Sequence, residues 1–122
     1  MILNEAEALA HKGDGAGAAR VLKELMSQRD PSWNMASVTV DDVYQQRRLE
    51  LWGEGFSLFD HLRLKKGIDR AYEGSNHDPS VQYTIDAGSW YFLYQIPLRE
   101  LDNSDAITEA EQNPAPTESK FK

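Results

Sequence analysis

The chain has no cysteine, which excludes a disulfide framework, a thiolate nucleophile and a Cys-based zinc site, and leaves the redox compartment open. It has no run of the roughly eighteen apolar residues that a membrane-spanning helix needs. Positive charge is scarce: 13 Lys and Arg stand against 20 Asp and Glu, for a net charge of −7. The densest basic cluster, Arg63-Leu64-Lys65-Lys66, is too small to neutralise a run of phosphates, so no nucleic-acid partner is expected. The opening MILNEAEALA lacks the basic flank and cleavage site of a signal peptide, and taken alone the chain is expected in the cytosol. No GxSxG, phosphate-binding loop or dinucleotide fingerprint is present. His11, His61 and His77 are scattered without metal-ligand spacing. Residues 76–78 and 102–105 are oxygen-rich but lack the alternation of an EF-hand, and turn and cap chemistry accounts for them. No metal and no cofactor are expected.

What is present has the balance of a soluble globular domain: 40% of the 122 residues are hydrophobic and 27% charged, enough for one modest core. The longest helical pattern covers residues 39–66. At about 100° per residue, Val40, Val43, Tyr44, Leu51, Leu58 and Leu62 share one side. Arg47 and Glu54 fall on that same side, where an unpaired charge is costly. A ladder is therefore expected in which Glu50, at i+3 from Arg47 and i−4 from Glu54, links them, with Arg48 alongside. Loss of Glu54 would then strand Arg47. Gly53 and Gly55 each cost up to about 1 kcal/mol in a helix, which predicts a bend or a close approach there. Asp60 and Arg63 are spaced for an i, i+3 pair. Thr39 with Asp42 resembles a capping box, and Gly67 is expected to stop the helix.

Ahead of this stretch, residues 2–29 read as a helical hairpin. Leu3, Ala6, Leu9 and Ala10 form one stripe, Gly13-Asp14-Gly15 makes the turn, and an alanine-rich second helix carries Val21, Leu22, Leu25 and Met26. The first helix has no N-terminal cap residue, and the chain is expected to be part of something longer. Beyond residue 66, a turn-rich loop over 72–80 precedes two β-prone runs, 81–85 and 90–96, which predict a short hairpin lying on the helices. Pro97 ends the second run, one helical turn is expected over 98–101, and the segment 97–122 becomes extended, with residues 113–116 blocking helix and the last six mobile. The fold class is mainly α: a tetratricopeptide-like hairpin and a long kinked helix, with a short β-hairpin near the C-terminus, in a single region.

Two kinds of candidate site follow. Glu50 and Glu54 are spaced as a glycosidase carboxylate pair could be, but arginine neighbours would depress both pKa values where a general acid needs one raised. A structural ladder is the simpler reading, and no enzyme activity is expected. The aromatics Trp33, Trp90, Tyr91 and Tyr94 can pack on sugar C–H faces or on a protein surface. Each is more often core than site, with Trp33 the exception, because a Pro-containing connection makes exposure easier. An alternative is a stand-alone helical-hairpin module that docks a protein.

Three separated motifs carry a family resemblance. Leu3-Asn4-Glu5-Ala6-Glu7-Ala8 leads through Gly13 to the alanine-rich helix ending in Arg29. Arg47-Arg48-Leu49-Glu50-Leu51-Trp52-Gly53-Glu54-Gly55-Phe56 is followed by Asp60-His61-Leu62-Arg63. Ile96-Pro97-Leu98-Arg99-Glu100-Leu101 precedes Asn103 and Gln112-Asn113-Pro114. In this order they resemble the C-terminal part of the SusD/RagB family of outer-membrane nutrient-binding lipoproteins, over roughly residues 2–116. Ser57 stands where the family usually has arginine, and Ala115-Pro116 replaces the usual Gly-aromatic.

The resemblance implies a non-catalytic protein that captures oligosaccharide at the cell surface for a SusC-like TonB-dependent β-barrel transporter. It implies membrane contact only through an N-terminal lipid that this C-terminal portion lacks. Arg47, Arg48, Glu50, Glu54, Asp60 and Arg63 would transfer as scaffold only. The ligand-binding candidates, Trp33, Trp90 and Tyr91, rest on the residues themselves and not on the family.

Overall fold

The computed structural model describes residues 1–115. It divides into two compact units, Met1–Gly55 and a second that starts at Phe56. Among the described residues the fold is mainly α, with five helices and one two-stranded antiparallel sheet.

The first unit is built from α1 (Ile2–His11), α2 (Gly15–Arg29) and α3 (Val40–Glu50). α1 closes when Gly13 turns left-handed (φ 82°) and the Asp14 amide donates to the Leu9 carbonyl at 3.0 Å, satisfying an orphan helix-end acceptor. Asp14 then caps α2 by accepting from the Gly17 amide at 2.8 Å. The resulting hairpin packs α1 on α2, with α3 against α1. Ala6, Ala18 and Ala19 are buried in its core, where small side chains let the helices approach, and Leu22, Met26, Val38 and Val43 fill the remaining space. Burying a side chain such as Leu22 contributes about 1.5–3 kcal/mol, and Leu3, Leu9, Val21 and Leu25 pack against this cluster from its rim. Gly15 serves close packing: an added Cβ would lie 2.8 Å from the Val38 carbonyl. The capping box is complete, with Asp42 N–H donating to Thr39 Oγ1 at 3.2 Å and Thr39 N–H donating to Asp42 Oδ2 at 2.8 Å.

The helix expected over 39–66 is not continuous. α3 ends at Glu50, and Gly53 and Gly55 both adopt φ 81°, outside the right-handed helical region. The two glycines thus end a helix where a kink was expected. Helix resumes as α4 (Ser57–Arg63), which begins the second unit. Its stop is also not Gly67: Lys65 turns left-handed (φ 50°) and the Lys66 amide reaches back to the His61 carbonyl at 2.9 Å.

The expected hairpin of 81–85 with 90–96 is replaced by a different pairing. β1 (Ile68–Asp69) pairs antiparallel with β2 (Thr84–Ile85), in the register Ile68 to Ile85 and Asp69 to Thr84. Gly67 makes this approach possible, because a Cβ there would fall 2.5 Å from the Ile85 carbonyl. The aromatic run does not form a ladder at its start. Ser89 caps a single tight turn over Trp90–Phe92, and a local side-chain acceptor outcompetes β-propensity. Pro97 precedes α5 (Leu98–Asn103), and a further turn covers Glu109–Glu111. Pro116 and the last six residues, expected to block helix and to be mobile, lie outside the described residues.

Candidate functional site

In the second unit the sequence Trp90-Tyr91-Phe92-Leu93-Tyr94 places aromatics at both depths. Phe92 is buried and stacks on the His61 ring, centroids 6.0 Å apart and planes 17° from parallel. Tyr91 is half-buried. Trp90 is 47% and Tyr94 74% exposed. The Leu93 amide donates to the Trp90 carbonyl at 3.0 Å, and at Leu93 the chain becomes extended (φ −101°, ψ 130°).

The extended stretch is held by side-chain amides in place of a neighbouring strand. Gln112 bonds both backbone groups of Ile96: the Ile96 amide donates to Gln112 Oε1 at 2.8 Å, and Gln112 Nε2 donates to the Ile96 carbonyl at 2.9 Å. Asn113 Nδ2 donates to the Tyr94 carbonyl at 2.7 Å. In return, Gln95 Nε2 donates to the Asn113 carbonyl at 2.6 Å and the Pro114 carbonyl at 3.1 Å. Pro114 has no N–H and cannot extend a ladder, so carboxamides supply the missing donors and acceptors.

Trp33 belongs to the first unit and is not the open loop residue that its connection predicts. Asp30 Oδ1 accepts from both the Ser32 amide (2.9 Å) and the Ser32 hydroxyl (2.6 Å), and the Trp33 amide donates to the Asp30 carbonyl at 3.0 Å. This Asx-turn folds the indole back, half-buried, against the hairpin core. Of the three ligand-binding candidates, then, Trp90 is the most exposed, while Tyr91 and Trp33 are half-buried.

The ladder expected along one helix is rearranged. Glu50 takes a partner 21 residues away, accepting a fork from Arg29 at 2.7 Å (Nε) and 3.0 Å (Nη2). That hydrogen bond holds the Glu50 carboxyl below its ordinary pKa. Arg47 donates to Asn4 Oδ1 at 3.0 Å, tying α3 to α1. Arg48 donates to Gln45 at 3.3 Å and lies 5.8 Å from the Tyr44 ring centroid. Glu54 follows the helix break and is exposed, and its side chain makes no ion pair with a described residue. Asp60 is buried, and Arg63 Nε donates to it at 2.7 Å with the i, i+3 spacing. The Arg29 fork favours the ionised form of Glu50, the opposite of the raised pKa that a general acid needs.

Three features escaped sequence reasoning. Glu7 is buried on the inner side of α1, with His11 Nε2 3.6 Å from its carboxylate, and its i, i+4 spacing to His11 was the available signal. The Arg29–Glu50 fork joins two separate helices and has no local signature. The carboxamide clamp could have been sought only in Gln112-Asn113-Pro114, a polar motif in an otherwise irregular stretch. Among the described residues no group of three or more His, Asp or Glu could hold a metal ion.

Compared with known proteins, residues 1–115 match the family model described as the SusD family. No curated protein matches the chain, and no solved structure does.

Proposed function

This chain belongs to the SusD family, and from that premise we propose that it binds oligosaccharide at the outer-membrane surface and delivers it to a SusC-like TonB-dependent transporter. The family is a nutrient-binding, non-catalytic one whose members are generally associated with the outer membrane. Among the described residues no helix is long and apolar enough to cross a membrane. The observation that carries the reading is the match across 115 residues, and the exposed aromatics Trp90 and Tyr94 are the chemistry that fits it. Aromatic faces stack on the C–H surface of a sugar ring while the polar rim of the sugar stays hydrogen-bonded. Binding of this kind needs no catalytic carboxylate.

Affinity electrophoresis of the whole chain through gels cast with starch, xylan, β-glucan or chitosan tests it. Retardation by at least one polysaccharide, lost in Trp90→Ala, is expected. Unchanged mobility in all four, together with glycan uptake that survives deletion of the gene, would reject the reading.

A second reading, a helical-hairpin module that docks protein, is favoured by one observation in the first unit. Leu49 and Trp52 are 71% and 86% exposed, and their chain neighbours Glu50 and Leu51 line a groove with Ile2, Leu3, Leu25 and Arg29. It predicts a chain that binds protein, ignores sugars, and loses that binding in Trp52→Ala.

A further inference from the structure

We infer that Gln112 and Asn113 are positioning residues for ligand: they hold Tyr94 and Trp90 as one pre-set aromatic ridge, with Tyr94 as its second stacking face. The inference rests on the oligosaccharide reading for the identity of the ligand, and on the geometry of the clamp for everything else.

The ridge is anchored at two points with a short span between them. At one end Phe92 is buried against His61, and its turn is closed by the Phe92 amide on the Ser89 carbonyl and the Leu93 amide on the Trp90 carbonyl, both at 3.0 Å. At the other end the backbone groups of Tyr94 and Ile96 are taken by the Asn113 and Gln112 carboxamides. Trp90 and Tyr94 are both exposed and stand four positions apart in the chain, so their Cα atoms are at most about 14 Å apart. Without the clamp, the Tyr94 carbonyl and both backbone groups of Ile96 would lose these partners, and the extended stretch over 94–96 would be freer to rotate about φ and ψ. A ligand would then have to order it on binding, and that entropy would be subtracted from affinity. With the clamp the ordering is done by folding.

The contact pattern argues for positioning more than for burial. Gln112 and Asn113 are only half-buried, and Gln95 and Tyr94 are exposed, so these side chains do not build the core. Their bonds go to the backbone of the segment that carries Tyr94. Gln112 also accepts from the Asn113 amide at 2.9 Å, so the two carboxamides orient each other.

The experiment uses the whole chain with Trp33→Phe and Trp52→Phe, which leaves Trp90 as the single indole. In that background Gln112→Glu and Asn113→Asp keep side-chain volume but remove the donors to the Ile96 and Tyr94 carbonyls. The probes are maltohexaose, cellohexaose, xylohexaose and chitohexaose, with affinity read from Trp90 fluorescence and iodide quenching of the free protein read alongside. The expected result, with unchanged far-UV circular dichroism, is about a tenfold weaker Kd in the double variant and a shifted Trp90 emission. Tyr94→Phe, which keeps the ring face, should bind as the parent does, whereas Tyr94→Ala should not. Equal Kd and unchanged emission in the double variant would overturn the inference while leaving the glycan reading intact. If the parent binds none of the four sugars, that reading fails, and Trp90 emission and quenching alone judge the clamp: unchanged values overturn it, and altered ones support it.

Discussion

The two units solve the same problem by opposite means. Met1–Gly55 is held by a stripe of small and aliphatic side chains, with Ala6, Ala18, Leu22 and Val43 almost wholly removed from water. In the second unit the buried hydrophobic residues are only Ile85 and Phe92 among the described residues, and a charged residue, Asp60, is buried with them. Its order comes from directional contacts: a short strand pair, the Asp60–Arg63 pair and the carboxamide clamp. A pattern of burial is non-directional and tolerant, while hydrogen bonds to backbone specify one conformation. The unit with the smaller core is also the one that presents Trp90 and Tyr94. A surface that must stay open to a ligand cannot draw its rigidity from burying the residues it presents.

Substitutions can break this contrast in order of size. Leu22→Ala removes a fully buried side chain from the α2 face of the core and should cost about 2–5 kcal/mol, read as a large drop in urea midpoint. A loss below about 1 kcal/mol would mean that the hairpin core is loosely packed. Gly67→Ala forces a methyl against the Ile85 carbonyl and should cost about 1–3 kcal/mol, with loss of amide protection at Thr84 and Ile85. If protection is unchanged, β1–β2 is not what orders that region.

The Arg29–Glu50 fork is exposed and should matter through pH more than through midpoint. Because the Glu50 pKa is lowered in the folded state, its contribution is present above the unfolded glutamate value of about 4.3 and is lost as pH falls through the lower folded value. Glu50→Gln should therefore flatten the fall in stability across that acid window and leave the neutral-to-alkaline limb with the parent's slope. A parallel acid limb in parent and variant would show that the fork does not form in solution. Smallest is Glu54→Ala, which the single-helix ladder would make damaging. With Glu54 exposed beyond the helix break and Arg47 bonded to Asn4, its melting temperature should match that of Glu109→Ala, each within about 0.5 kcal/mol of the parent.

The same contrast explains what could be read from the sequence. The hairpin, the alanine crossing and the Thr39–Asp42 capping box are local or periodic, so spacing alone reveals them. The break at Gly53 and Gly55 was visible only as a helix cost, because a sequence does not show the sign of φ. The pairing of 68–69 with 84–85 was hidden: two-residue strands carry no alternation, and the aromatic run 90–96 has the stronger β signature. Glu50 had arginines within one helical turn, yet its partner came from another helix. The clamp joins residues 16 to 19 positions apart through side chains, a distance over which no periodicity operates. Of the candidate ligand residues, Trp90 is about half exposed, Trp33 packs half-buried against the first unit's core beyond the Asx-turn at Asp30, and Tyr94 is more exposed than Tyr91.

The most direct test is a titration of the uniformly ¹⁵N-labelled chain with the oligosaccharide of whichever polysaccharide retards it most in a gel, followed residue by residue in two-dimensional NMR spectra. Shifts concentrated at the Trp90 indole N–H and the amides of Tyr94 and Ile96, with the α1–α2 amides unmoved, are the predicted result. Shifts centred on α1, α2 and Trp52, or none at any residue at saturating sugar, would contradict the assignment of ligand binding to the aromatic ridge.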